Sequence, residues 1–433
     1  MQKEPDTLNR ARWIRVVAAT VVGNGMVAYD FTVYSLLAVT IGKLFFPSSN
    51  PVSSLMLSLA TFGAGFVMRP LGAAIIGHLS DTRGRKAGMI VSLMLMTVAT
   101  WMIACMPTYA TVGPLATVLM VVARLMQGLA AGGEIGPASA SLMEAVADDR
   151  RCFIVSWRGA SQGMAALVAG LITAGAAALL APASMQAWGW RLPFVFGGLI
   201  GPVGWYLRRH MPAPAKTADR KHEFRQLFTR HQRALTYGAL MMAATSATIY
   251  VTVFYLPSYL SQTLHWPVTI SLVTACLSGA VIFVMSPLVA IVADRYPSRK
   301  TVQYVLFTVS LLATYPAFWA LTHGVGYLAA LVIIAAYVGV SLNNAGAISV
   351  LMLEAFPRHR RAAALSVMYS LGVVIFGGFS PLVVTWLIQV TGNVMMPAWY
   401  LMVAIGVTLF ALTRFPEDTK ARALSLQQSP QPS

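Results

Sequence analysis

The chain has 433 residues, of which 57% are hydrophobic and only 10% charged, and 31 Lys+Arg against 14 Asp+Glu give a formal net charge of +17. A soluble globular domain carries about 25% charged residues, so the composition excludes a soluble protein and points to a polytopic membrane protein. The basic residues fall in short blocks between apolar runs, which excludes a nucleic-acid-binding stripe and supplies an orientation signal instead.

The chain opens on MQKEPDTLNRARWIR, polar and basic. The run behind it is too long for a signal-peptide core and has no small-residue cleavage pattern, so it reads as a retained first helix. Windows of about 19 residues place apolar segments at about 16–42, 53–77, 87–107, 112–142, 154–181 and 189–207. After the polar stretch RRHMPAPAKTADRKHEFRQLFTRHQR, six more follow at about 234–260, 268–292, 301–322, 325–350, 362–390 and 395–414. The predicted fold is all-α and integral to the membrane, with twelve transmembrane helices, since helices satisfy their own backbone polar groups in lipid. Tyr255-Leu-Pro257 is expected to kink or break the seventh helix near its outer end. With the N-terminus inside, the inside segments hold Lys3 to Arg15, Arg83 to Lys86, Arg150 and Arg151, Arg208 to Arg233, Arg295 to Lys300, Arg358 to Arg361 and the tail. The outside segments hold only Lys43 and Arg191, so both termini are predicted to be cytoplasmic. Cys105, Cys152 and Cys276 are scattered without metal-ligand spacing and read as apolar packing residues.

The two sets of spans repeat each other. SLMEAVADDRR (141–151) aligns without a gap on LMLEAFPRHRR (351–361), matching Glu144 to Glu354. HLSDTRGRK (78–86) lines up with IVADRYPSRK (291–300), with one residue of slack, matching Asp81 to Asp294. The predicted organisation is a six-helix half at 1–207, a cytoplasmic linker at 208–233, a second six-helix half at 234–415 and a cytoplasmic tail at 416–433. Two parallel six-helix halves are the plan of a rocking transporter, with the substrate site between them.

GHLSDTRGRK, Gly77 to Lys86, resembles the loop 2–3 motif G-x-L-x-D-x-x-G-R-K of the major facilitator superfamily, and the resemblance extends over nearly all of the chain. Within that superfamily, GN…YDF (23–31), RPLGAAIIG (69–77), RLMQGLAAGGE (124–134), WGWRLPF (188–194), FYLPSYL (254–260) and FGGFSP (376–381) are similar to the metabolite–proton symporter family. SWxxASQ (156–162) with RLxQG resembles its citrate and tricarballylate branch, whereas FYLPSYL and MMPAWYLM (395–402) are closer to the proline/betaine osmolyte symporters. The resemblance implies the major facilitator fold of two pseudo-symmetric halves. It implies import of an organic anion, citrate or a related tricarboxylate, with protons by alternating access. The alternative is symport of another carboxylate or a zwitterion: α-ketoglutarate, shikimate, proline or betaine. It also implies a cytoplasmic latch, closed when the transporter opens outward, in which Asp81 and Arg85 meet Glu144. Asp294, Arg299 and Glu354 form the weaker copy, with Pro297 where the first copy has Gly84. One departure is Val27, where the family pattern GNFLEWYDF carries a glutamate.

Charges inside spans are the candidate functional groups, because a charged side chain at a helix centre costs roughly 2.5–3.5 kcal/mol on insertion scales. Arg69 precedes Asp81 by twelve residues, about 18 Å of helix, which sets it near the midplane. Arg124 falls in the outer half or middle of the fourth span, and Arg158 near the start of the fifth. Each needs a partner, a cavity or a substrate. Arg124 either pairs with Asp30 or Glu134 and holds helices together, or binds substrate carboxylates with Arg69 and Arg158, the guanidinium fork matching a carboxylate in a bidentate manner. The excess of buried arginine favours an anionic substrate. Among neutral polar residues Asn24, Ser161, Gln162, Tyr250, Tyr255, Tyr259, Asn343 and Asn344 are expected to line a cavity or bond between helices, with Asn24, Gln162, Tyr255 and Asn344 as substrate ligands.

Proton coupling requires a group that changes charge. His78, His265, His323 and His359 lie at or beyond helix ends, which leaves Asp30 and Glu134 as the carriers. The chain shows no H-E-x-x-H, no G-x-S-x-G and no Cys/His cluster, so no enzymatic activity, metal or cofactor is expected. The expected partners are a small organic anion, protons and the lipid bilayer, with no nucleic acid, for a monomer in the bacterial inner membrane.

Overall fold

Runs of 19 to 31 apolar residues without a polar face can satisfy their backbone only as helices that pack on one another. The computed structural model describes residues 7–83, 85–132, 148–209, 232–342, 345–357 and 360–416, with 139, 140, 142, 143 and 146, and every described element is helical. Among the described residues ten segments are long and apolar enough to cross a membrane. An eleventh is a bent pair, Val21–Leu36 of α1 (Thr7–Leu36) with α2 (Ala38–Phe45), which meet at 65°. The second span is α3 (Pro51–Val67) continued by α4 (Arg69–Arg83), followed by α5 (Arg85–Cys105), α6 (Pro114–Gly132), α7 (Arg151–Leu179) and α8 (Arg191–Arg209). The helix α8 occupies the sixth predicted span.

The second set runs α9 (Gln232–Ile249), α10 (Leu256–Gln262), α11 (Val268–Arg295), α12 (Arg299–Thr322), α13 (Tyr327–Ser341), α14 (Ala345–Glu354), α15 (Arg361–Val373), α16 (Ser380–Thr391) and α17 (Met396–Arg414). Local chemistry sets several ends. Asn50 caps α3 by accepting from the Val52 N–H at 2.9 Å, with Pro51 in the first turn. Ser298 caps α12 through Thr301 N–H at 3.1 Å. Gly392, at φ +66°, ends α16 in the left-handed conformation that glycine adopts without strain.

The Pro257 expectation resolves into a wider turn. Residues Tyr250–Tyr255 form a π-helical turn that absorbs the missing proline N–H, and α9 and α10 continue as one span. A second π turn, Val374–Gly378, joins α15 to α16. The first span departs from expectation more strongly. It reads as one continuous helix from residue 16 to 42, yet it breaks at Leu37 with no proline or glycine at the bend. Gly42 lets α2 fold against the start of α3, since a Cβ there would meet the Ser54 carbonyl oxygen at 2.7 Å.

The molecule is inside-out relative to a soluble protein. Large apolar side chains such as Leu312, Leu328 and Val403 stand on the outside, while Asp30, Arg69, Arg124 and Arg158 are buried. Helices of the first set meet those of the second chiefly where α7 packs along α11. A Cβ on Gly163 would meet the Phe283 backbone nitrogen at 2.6 Å, so these two helices touch backbone to backbone. Residues 210–231, most of the predicted linker, lie outside the described residues.

Candidate functional site

A cavity of about 80 Å³ lies between the two sets of helices. From the first set it is lined by Asn24, Phe31, Arg69, Arg158 and Gln162, and from the second by Ser246, Tyr250, Phe254 and Tyr369. Arg69 and Arg158 are each only 5% exposed. The Arg69 guanidinium lies over Phe66 at 4.3 Å and over Phe31 at 5.0 Å, and that of Arg158 lies 5.0 Å from the Tyr369 ring. Arg69 Nε and Arg158 Nη1 are buried without a hydrogen-bond partner. Among the described residues no carboxylate oxygen lies within 4.0 Å of Arg69, Arg124 or Arg158. Buried guanidinium groups without a counter-ion are a poised anion site, because a carboxylate would supply both the missing charge and the missing acceptors.

Asn24 has a dual position. Its amide donates to the Arg158 carbonyl at 2.9 Å and to Ser161 Oγ at 2.8 Å, so it ties α1 to α7 while lining the cavity. Tyr369 interacts with both Arg158 and Gln162 across the boundary between the two sets. Tyr255 stands apart. It is buried, its hydroxyl accepts from Thr385 Oγ1 at 3.0 Å, and it does not line the cavity.

Arg124 also lies off the cavity. It is 0% exposed, and its guanidinium is enclosed by Phe31, Tyr34 and Phe62 at 4.6, 4.2 and 5.4 Å. It makes no direct ion pair with Asp30, which was one expected arrangement. The two are joined by a hydrogen-bonded chain instead. Arg124 Nη1 donates to Gln127 Oε1, Gln127 Nε2 donates to Thr100 Oγ1 at 3.0 Å, and Thr100 Oγ1 donates to Asp30 Oδ2 at 2.6 Å. All the donors point from the cation towards the carboxylate, so the chain is a continuous polar path from Arg124 to Asp30. The other carboxylate oxygen, Oδ1, has no partner. Glu134, Glu144, Asn343 and Asn344 lie outside the described residues, and of Asp81 and Arg85 only the backbone is described.

Asp294, Arg299 and Glu354 are brought together at the end of α11, the start of α12 and the end of α14. Arg299 Nη1 bonds Glu354 Oε2, and Arg299 Nη2 lies 3.9 Å from Asp294 Oδ1. The cluster also crosses to the first set of helices. Asp294 accepts from the Cys152 and Phe153 N–H groups at 2.9 and 2.8 Å, and Arg151 Nη1 lies 3.1 Å from Glu354 Oε1. Asp294 therefore satisfies orphan donors at the N-terminus of α7, where a negative charge is favoured. On the opposite face the two sets meet through aromatic rings. Tyr250 lies 5.1 Å from Phe66, Phe254 lies 6.0 Å from Phe62, and Ser35 Oγ donates to the Phe254 carbonyl at 2.7 Å. The cavity thus has contacts between the two sets on either side of it.

Sequence reasoning passed over Thr100, Gln127 and Tyr369. Gln127 carried a usable signal, a polar residue one helical turn from a buried arginine. Thr100 carried none, since hydroxyl side chains in apolar helices commonly bond their own backbone, as Thr100 also does to the Met96 carbonyl at 3.0 Å.

Residues 18–375 match the Major Facilitator Superfamily. The chain is 33% identical over 394 residues to the citrate-proton symporter of Klebsiella pneumoniae, covering 90% of this chain and 88% of that protein. It is 31% identical over 421 residues to the proline/betaine transporter of Escherichia coli (strain K12), covering 91% of this chain and 82% of that protein. Among solved structures, the xylose transporter of E. coli in a partially occluded inward open conformation matches with a TM-score of 0.76, covering 95% of this chain and 99% of that one. At 16% identity this last likeness concerns the fold alone.

Proposed function

Starting from a chain that belongs to the major facilitator superfamily, we propose that it imports an organic anion, citrate or a related tricarboxylate, together with protons by alternating access. It is a multi-pass membrane transporter and not an enzyme. The observation that carries the anion reading is the pair of buried arginines, Arg69 and Arg158, lining the cavity with unpartnered nitrogens and no carboxylate in reach among the described residues. Arg158 and Arg69 take the carboxylates, and Asn24 and Gln162 orient them. Asp30 carries the proton. Glu134 is the alternative carrier, Asn344 is a further ligand, and Arg124, which lies off the cavity, serves Asp30 through the hydrogen-bonded chain. The two six-helix halves, 1–207 and 234–415, rock about the cavity, with Asp294, Arg299 and Glu354 joining them on the face that the basic residues assign to the cytoplasm. The same charge pattern puts both termini in the cytoplasm of a bacterial cell, across its inner membrane, and the first-half latch is completed by Asp81, Arg85 and Glu144.

One observation favours a second reading. Phe31, Tyr250, Phe254 and Tyr369 place four aromatic rings in the cavity wall, which suits a quaternary ammonium as in glycine betaine. Uptake into proteoliposomes under an inwardly directed proton gradient, acid outside, separates the two. Accumulation of labelled citrate that collapses with the gradient supports the anion reading. Accumulation of glycine betaine with no citrate uptake overturns it.

A further inference from the structure

Phe31 follows Asp30 directly in α1, and two buried guanidinium groups, from α4 and α6, lie over its ring. One is Arg124, 4.6 Å from the ring centroid, which is bonded through Gln127 and Thr100 to Asp30. The other is Arg69, 5.0 Å from the same centroid, which lines the cavity. The ring itself is buried, at 2% exposed, and Phe31 lines the cavity. No direct ion pair bridges the two arginines among the described residues.

We propose that Phe31 is the positioning residue through which protonation of Asp30 and binding of an anion in the cavity are coupled, its ring packing against both the Arg124 and the Arg69 guanidinium groups. The inference rests on the reading of Asp30 as the proton carrier. With Asp30 ionised, its charge balances Arg124 along the chain of aligned donors. When Asp30 gains a proton, the Thr100 hydroxyl can turn wholly to the Met96 carbonyl, 3.0 Å away. The positive charge on the Arg124–Phe31–Arg69 cluster is then unbalanced, and an anion on the cavity side of Arg69 restores the balance. Proton and anion binding therefore favour each other, and by linkage each tightens the other by the same factor.

The groups that face Asp30 make this specific. Thr100 of α5 and Gln127 of α6 contact it directly or in sequence, Arg124 acts on it from α6, and Tyr29 is its neighbour on α1. From α8 the approach is at Gly197, where a Cβ would come 2.8 Å from Asp30 Oδ1, so the backbone of α8 closes on that oxygen. The cation that the chain from Asp30 reaches is Arg124, and Phe31 is the ring that both Arg124 and Arg69 lie over.

The test is the pH dependence of citrate affinity, by isothermal titration of the purified full chain between pH 5.5 and 8, for the wild type, Phe31→Leu, Phe31→Tyr and Asp30→Asn. The wild type is expected to weaken about tenfold as pH rises, within the usual range of couplings between sites. Phe31→Leu should bind citrate with that dependence cut to twofold or less, and Phe31→Tyr, which keeps the ring, should restore it. Loss of the dependence in Asp30→Asn with full retention in Phe31→Leu overturns the role of Phe31 and leaves Asp30 as carrier. Full retention in Asp30→Asn overturns both. If glycine betaine binds in place of citrate, the anion reading fails, and the same variants are scored on betaine: no pH dependence in the wild type overturns the coupling, and dependence lost in Phe31→Leu supports it.

Discussion

Arg158 is the residue on which the anion reading makes its sharpest demand. Its guanidinium lines the cavity, faces Tyr369 and keeps Nη1 without a partner. A hydrogen bond to a charged group contributes about 1.5–3 kcal/mol. Arg158→Ala should raise the KM for citrate about tenfold to a hundredfold, and Arg158→Lys should recover only part of that, since an ammonium cannot reproduce the fork. Initial rates of uptake at a fixed pH gradient check both. Equal loss in KM for both variants and for a neutral surface control would remove Arg158 from the site. At this scale the sequence was legible in part. A buried arginine announces itself by its cost in lipid, so all three stand out from the chain. What each one faces does not. Arg124 and Ala131 lie seven residues apart on one stripe of α6, yet Ala131 lines the cavity and Arg124 does not. Two helical turns, about 10 Å, carry Arg124 into rings donated by α1 and α3, a contact that no local pattern encodes.

At the scale of elements, close packing by glycine sets how helices approach. Without a strong hydrophobic force between helices in lipid, small residues at contacts take on that role. A Cβ on Gly128 of α6 would overlap the Gly65 carbonyl of α3, and both helices belong to the first set. Gly163 of α7 and Gly279 of α11 oppose each other across the two sets. The two substitutions should therefore differ. Gly128→Ala forces α6 from α3 and should destabilise the fold by about 1–3 kcal/mol, seen as a lower thermal midpoint in detergent. Gly163→Ala acts where the halves meet, so it should lower the transport rate more than the midpoint. A matched fall in both quantities for the two variants would contradict this division. The spans themselves were readable because hydropathy and length are sufficient in lipid. The 65° bend at Leu37 was not, because it arises from α2 packing beside α3 at Gly42 rather than from a helix breaker.

Across the whole molecule, the repeat seen in the sequence places charges where one half can hold the other. Asp294 of α11 accepts two backbone N–H groups from the first turn of α7, and Glu354 of α14 takes Arg151 as well as Arg299. A carboxylate at a helix N-terminus is favoured by about 0.3–1 kcal/mol when exposed and up to about 2 when partly buried. Asp294 is buried, so the upper figure applies to the state in which the two halves touch here. Asp294→Asn keeps the shape and removes the charge. It should lower the population of the closed face about fivefold to thirtyfold relative to the open one. The chain carries its own reporter, because Cys152 is buried and its N–H is one of the two that Asp294 accepts. Separating α7 from α11 on this face exposes its thiol. In a background with Cys105 and Cys276 changed to serine, maleimide labelling of Cys152 should run several-fold faster in Asp294→Asn than in the parent. Glu354→Gln should move the rate in the same direction, since it weakens the contact to Arg151 across the same boundary. If both variants label at the parent rate while uptake falls, the cluster serves some step other than closing this face, and the rocking of the two halves needs a different hold.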